Sequence, residues 1–213
     1  MTWTATALST GNLDSTSDNL ASGLNEIKLA VDRVNELSAH PTVAHRTAMA
    51  LTAQSVVQFA TTSTSSWTVI AGTTSSNIIP VDNTKPQVTE GYGVLSLSFT
   101  PKSATSTIVV SVKGYALCGG TAIYDSAVAA LFSSASSDAI QATWLANAHT
   151  AGVSLLGNLA MEVTQTSGST TARTYSLRVG PNTSTGTVIL NGNSSTQIFN
   201  NASSVVLTVT EFV

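Results

Sequence analysis

The side chains able to do covalent or metal chemistry are few in this sequence, and they are scattered. Its three histidines are His40, His45 and His149. A zinc site or a general base with its partners needs several such groups brought together. His40 and His45 stand four intervening residues apart in a connecting stretch, and His149 lies far along the chain in ANAHTAG. An isolated pair of this kind reads as solvated. The arrangement that would make one of them a ligand is three symmetry-related copies on a trimer axis. Serine and threonine abound, yet there is no G-x-S-x-G elbow and no nearby histidine with a carboxylate to complete a triad. Glycosidase chemistry needs two convergent carboxylates, whereas Asp82, Glu90, Asp125, Asp138, Glu162 and Glu211 fall one to a segment. Cys118-Gly119-Gly120 lacks the lysine and helix of a phosphate loop. As the single cysteine, Cys118 excludes an intramolecular disulfide or a thiolate cluster within one chain. In ALCGG, after an apolar run, it reads as a buried free thiol. No enzymatic activity and no cofactor are expected from these residues.

Composition points towards assembly instead. Only 9% of the 213 residues are charged and 42% are hydrophobic, while a soluble monomer ordinarily carries about a quarter charged residues. Much of the surface is therefore expected to be covered by other subunits or to be neutral and hydroxyl-rich. The net charge of −3 comes without a basic block, so neither nucleic acid nor an acidic membrane surface is an expected partner. No apolar run approaches the ~20 residues that span a bilayer. The first residues, MTWTATALSTGN, lack the basic and apolar regions of a secretory signal, which points to synthesis in the cytoplasm.

The charges are also unevenly placed. Residues 1–46 hold eight of them and the 167 residues that follow hold eleven. That shift divides the chain into an N-terminal anchor with a helix (1–46), a linker (47–54) and a β head (55–213). Trp3 is the one large side chain of the leading tail and is expected to tie it to a partner. Within the first part, LASGLNEIKLAVDRVNEL (Leu20 to Leu37) spaces its apolar residues as a heptad stripe. Leu20, Ile27 and Val34 take d, and Leu24 and Val31 take a. Asp14 or Ser17 caps the start, and Pro41 stops the helix. Leucine at a with isoleucine at d favours three or four strands over two. A helix this short is marginal alone, so the spacing predicts a parallel self-association seam, most simply a homotrimer.

From Ser55 the period changes to two. SVVQFATTS, WTVIAG, VLSLSFTP, STIVVSVKGYAL, SAVAALF, the stretch around Trp144, GVSLLGNLAMEV, RTYSLRV, GTVIL and SVVLTVTEFV read as strands. In the third, Leu95, Leu97 and Phe99 face one way and Ser96 and Ser98 the other. In the fourth both faces are apolar, as in a central strand. The clusters between them, such as SGST, GPNTSTG and NGNSS, are turn chemistry. Roughly ten short strands so spaced predict a mainly β fold, an antiparallel β-sandwich of jelly-roll type.

Two stretches carry a resemblance. IIPVDNTKPQVTEG (Ile78 to Gly91) leads into LSLSFTP, and YSLRVGPNTSTGTVILNG (Tyr175 to Gly192) leads through Phe199 to SSVVLTVTEFV. In this order they resemble the C-terminal β-sandwich module of tail-fibre and related virion proteins of tailed bacteriophages, over about residues 55–213. The resemblance implies a trimeric jelly-roll-like head on a short stalk, located in the virion. Residues 1–46 would then meet other virion proteins, with no catalytic residues to carry over. Host attachment, on this reading, would use loops at the end away from the stalk. Candidates are the turns Thr166 to Thr171, Asn182 to Gly186 and Asn191 to Ser195, with Ser169, Asn182, Ser184, Asn191 and Asn193 facing a host-surface glycan. The alternative is a free-standing carbohydrate-binding sandwich using Trp67, Trp144, Tyr92, Tyr115 and Tyr124. Their apolar neighbours in sequence favour core packing for these five. Arg178, inside an apolar strand, needs a partner if it is buried, and Glu90 is placed to neutralise Lys85 or a neighbouring subunit's Arg178.

Overall fold

The computed structural model describes residues 55–120, 125–148 and 154–213. The chain divides into two units, Met1–Ala53 and Gln54–Val213, and every described residue belongs to the second. The heptad residues Leu20, Leu24, Ile27, Val31 and Val34, the three histidines and Tyr124 lie outside the described residues.

The second unit is mainly β and antiparallel, and each of the ten anticipated runs falls on one strand. The strands are β1 (Val56–Thr64), β2 (Thr68–Ala71), β3 (Tyr92–Phe99), β4 (Thr107–Gly120), β5 (Asp125–Ser133), β6 (Gln141–Ala148), β7 (Leu155–Thr166), β8 (Arg173–Pro181), β9 (Gly186–Leu190) and β10 (Val205–Phe212). Each pairs with its mirror image in chain order: β5 with β6, β4 with β7, β3 with β8, β2 with β9 and β1 with β10. The second unit is thus one long antiparallel ribbon. It is rolled up by three further pairings, β10 with β4, β9 with β4 and β8 with β5. The result is two packed sheets, the double-sheet jelly roll.

β10 pairs with Thr107 to Lys113 and β9 with Ala116 to Gly120, so the two lie end to end along one edge of β4. β1 and β2 follow suit as the outer strand. The first sheet therefore runs β1/β2, β10/β9, β4, β7, and the second runs β3, β8, β5, β6. β4 is central, as its two apolar faces imply. Its inward residues Ile108, Val110, Val112, Ala116 and Cys118 meet Leu95, Phe99, Ala127, Leu131, Tyr175 and Leu177 of the other sheet in one core. Cys118 is buried, and its thiol donates to the Asp125 carbonyl at 3.3 Å.

β5 is buried on both faces, which a two-layer sandwich alone does not explain. The connection from β2 to β3 crosses the outer face of the second sheet and covers it. Ile79 from this strap is fully buried with Val128, Ala130, Phe132 and Ala139 in a second, smaller cluster. The Ile79 amide donates to the Pro181 carbonyl at 3.0 Å, Val88 to Ser137 at 2.8 Å, and Ala139 back to Pro86 at 2.9 Å. Pro80 and Pro86 cannot join a ladder, so the segment lies over the sheet instead of in it. The close approach depends on Gly180, where a methyl group would overlap the Asn77 carbonyl oxygen. Gly180→Ala is expected to unseat the strap and lower stability by about 2 kcal/mol, the usual scale of overpacking. An unchanged melting temperature would refute it.

Candidate functional site

From β2 to β9 consecutive strands run in opposite directions, so consecutive loops there fall at opposite ends of the sandwich, whereas β1 and β2, like β9 and β10, follow each other end to end in one direction. Ser55 and Val213 are bonded to each other at one end, by Ser55 N to Val213 O at 2.9 Å and the reverse at 3.1 Å. The loops after β3, β5 and β7 share that end. There Ser167 N donates to Ser106 O and Ser134 N to Thr174 O, each at 2.8 Å. The turn after β8 lies at the opposite end, where Asn182 N donates to Ser126 O at 3.0 Å.

This corrects the expectation that the three Asn/Ser/Thr-rich turns converge on one recognition end. Ser169 is at the Ser55 end, half-buried, with its hydroxyl accepting from Arg173 at 3.2 Å. Asn182 is at the other end, half-buried, with Oδ1 accepting from Ser126 N at 2.7 Å, and Ser184 beside it is exposed. The third turn sits on the flank, where β9 gives way to β10. Asn191 was expected to face a receptor, but it has no exposed surface. Its amide donates to Thr64 O at 3.0 Å and Ser66 O at 3.1 Å and accepts from Ser203 Oγ at 3.3 Å. A backbone with φ of 56° there is one that asparagine tolerates better than most residues. Asn193 is exposed, and its Oδ1 accepts from Ser195 N and Thr196 N at 2.9 Å each.

The aromatic side chains overturn a second expectation. Trp67, Trp144 and Tyr92 are exposed and Tyr115 is half-buried, so core packing is not the role of the first three. Among the described residues the buried aromatics are Tyr175, Phe99 and Phe132. Trp67 stands in the short link between β1 and β2. Its indole Nε1 donates to Asn193 O at 3.1 Å, and its ring lies against Gly192 so closely that a methyl group there would overlap indole Cδ1. Gln197 ties the same loop down by donating to Ser65 O at 2.8 Å.

Among the described residues, most of the acids are engaged in holding the fold. Asp82 accepts from Thr84 N and Oγ1 in the strap, and those bonds hold its carboxyl below the usual range. Glu90 accepts from Gln87 N at 2.8 Å and Asp138 from Gln87 Nε2 at 2.9 Å. Within the chain Arg178 donates to the Glu90 and Gly91 carbonyls at 2.7 Å each. Buried Asp125 accepts from Thr183 Oγ1 at 2.5 Å and Thr185 Oγ1 at 2.9 Å. Glu211, with no exposed surface, accepts from Lys102 N, Ser103 N, Ser106 Oγ and Gln58 Nε2.

The outer face of the first sheet carries exposed apolar side chains and few charges. Register places Phe59, Thr210, Val109 and Thr164 in one row, and Thr61, Thr208, Ser111 and Glu162 in the next. A further row runs Val69, Ile189, Leu117 and Leu156. The six strands of this sheet hold Lys113, Glu162 and Glu211 as their only charged residues, and Glu211 points inward. Phe59 is 70% exposed and Leu156 67%. β1, an edge strand, carries no charge and no proline, the usual devices that keep an edge from pairing with another chain.

What these elements define is a jelly-roll β-sandwich. No protein-family model matches the chain, and no curated protein matches it. Solved structures match the chain at low similarity. Dimeric latent PorU from Porphyromonas gingivalis is 9% identical, with 74% of this chain and 13% of that chain covered at a TM-score of 0.33. The infectious bursal disease virus Gx strain structure is 15% identical, with 75% and 38% covered at 0.30. The VP2 subviral particle of that virus is 10% identical, with 74% and 42% covered at 0.29. The chain spans less than half the length of each, and likenesses of this size carry no argument about function.

Proposed function

We propose that the chain is a self-associating structural protein of a virion, a homotrimeric fibre or spike of a tailed bacteriophage. Residues 1–46 would be the anchor and coiled-coil helix, and residues 55–213 the head. The observation that carries this reading is the outer face of the first sheet, an apolar and hydroxyl-bearing surface with Lys113 and Glu162 as its two charges. Surfaces of free-standing domains are normally about a quarter to a third charged, and a long uncharged edge such as β1 invites another chain. The two charges are of opposite sign, so symmetry-related copies can set one against the other. The heptad at Leu20 to Val34 and the resemblance of residues 55–213 to virion-fibre modules support the same reading. Its partners are further copies of itself, other virion proteins through residues 1–46, and a host-surface glycan. Light scattering on the full-length chain at micromolar concentration tests it. Three chain masses are expected, and one chain mass would sink it.

A further inference from the structure

We propose that Trp67 and the β9–β10 loop bind a neutral, hydroxyl-rich glycan. This rests on the attachment part of the fibre reading, and gives it a site and a ligand class. Trp67 is built as a platform. The pyrrole part of its ring, Cδ1 and Nε1, lies against Gly192 and its N–H is given to Asn193 O, yet the residue remains 40% exposed. A ring so held presents an apolar stacking surface with little freedom left to lose on binding. The loop around it is fastened to the β1–β2 link from two sides, by the Asn191 amide on Thr64 O and Ser66 O and by Gln197 on Ser65 O. Polar groups stand exposed beside this frame on Asn193, Ser194, Ser195, Thr196 and Asn200, able to donate to and accept from sugar hydroxyls.

The ligand class follows from charge. No acidic or basic residue occurs from Asn191 to Ser204 or from Val56 to Ile70, so an anionic sugar would meet no counter-charge in these segments. The backbone adds a second sign of function. Phe199, Asn200 and Asn201 have φ of 54°, 47° and 69°, a left-handed turn that bulky side chains disfavour, and Phe199 is 73% exposed. Strain that puts an aromatic ring into solvent instead of the core is typical of contact sites.

The test uses full-length protein on an array of neutral oligosaccharides ending in glucose, galactose, mannose or N-acetylglucosamine, with sialylated and phosphorylated glycans alongside. Binding to neutral members is expected, with at least a tenfold loss in Trp67→Ala and less than twofold in Trp144→Ala. In case Trp67→Ala unfolds, 5-fluorotryptophan-labelled wild type is titrated with the best neutral oligosaccharide, and only the Trp67 fluorine resonance should move. Binding confined to charged glycans, binding indifferent to Trp67, or no binding overturns the inference. So does a Trp67 resonance that follows protein concentration without glycan, which would make the platform a contact between copies. A trimer that binds no neutral glycan ends this inference alone, and a monomer that binds through Trp67 ends the trimer alone.

Discussion

Replacing Glu211 by alanine is expected to destabilise the head by about 3 kcal/mol or more, judged from the cost of orphaning buried donors. The carboxylate closes the Ser55 end of the sandwich. Oε1 accepts from Lys102 N at 2.9 Å, Ser103 N at 3.1 Å and Ser106 Oγ at 2.5 Å, while Oε2 accepts from Gln58 Nε2 at 2.7 Å. It thus fixes the β3–β4 loop on both β1 and β10. Removing it leaves the backbone amides of Lys102 and Ser103 without this acceptor, while the Ser106 hydroxyl keeps Ser103 O at 2.8 Å. Glutamine is expected to do poorly as well, since its amide nitrogen would be set against groups that are themselves donors. Burial alone would push this carboxyl up, but the bonds from Ser106, Lys102, Ser103 and Gln58 together outweigh it and hold the carboxyl below the ordinary value of 4.5. A depressed folded-state value stabilises the fold fully above the unfolded-state value, and that stability is lost as pH falls through the folded one. Urea unfolding of the wild type should therefore weaken below about pH 4.5, and Glu211→Gln should remove part of that slope. Parallel acid limbs in the two proteins would contradict the assignment.

Nothing local in the sequence singles out Glu211 among the acids, because its donors come from positions 58 and 102 to 106, more than a hundred residues away. The strands were legible for the opposite reason. A period of two is written in neighbouring residues, and Leu95-Ser96-Leu97-Ser98-Phe99 states its own faces. Even the central place of β4 could be read, from apolar residues on both its faces. What the pattern could not say was which loops share an end, since that depends on the path of every strand between them. The turns at Ser169 and Asn182 looked alike in composition, and β8 carries one to each end. Likewise Asn191 reads as an ordinary turn asparagine, and its burial comes from the β1–β2 link closing over it. The exposed aromatics were misjudged because apolar neighbours in sequence do not fix which face of an edge strand or link meets solvent. Ile78 to Gly91 lacks periodicity for a physical reason: it packs across a sheet through one buried anchor, Ile79.

Charging the outer face of the first sheet is expected to abolish assembly while leaving each head folded. The double variant Phe59→Asp with Leu156→Asp puts a carboxylate near each margin of that face, one on β1 and one on β7. Both side chains are mostly exposed in the single chain, at 70% and 67%, so the sandwich itself should change by no more than about 0.5 kcal/mol. In the proposed trimer the same positions would be buried three times over. Each buried phenylalanine or leucine contributes about 2 kcal/mol, and an unpaired carboxylate in its place costs more still. Against this the expected heptad seam would run for about three heptads per copy, which is marginal alone. Light scattering should therefore report one chain mass for the double variant and three for the wild type, with superimposable far-ultraviolet circular dichroism. A companion variant, Leu24→Asp with Ile27→Asp, separates the two contributions. If the face variant stays trimeric and the heptad variant falls apart, the heptad holds the copies together alone and the sheet face is free for another partner. If the heptad variant stays assembled and the face variant does not, the copies are joined through their first sheets.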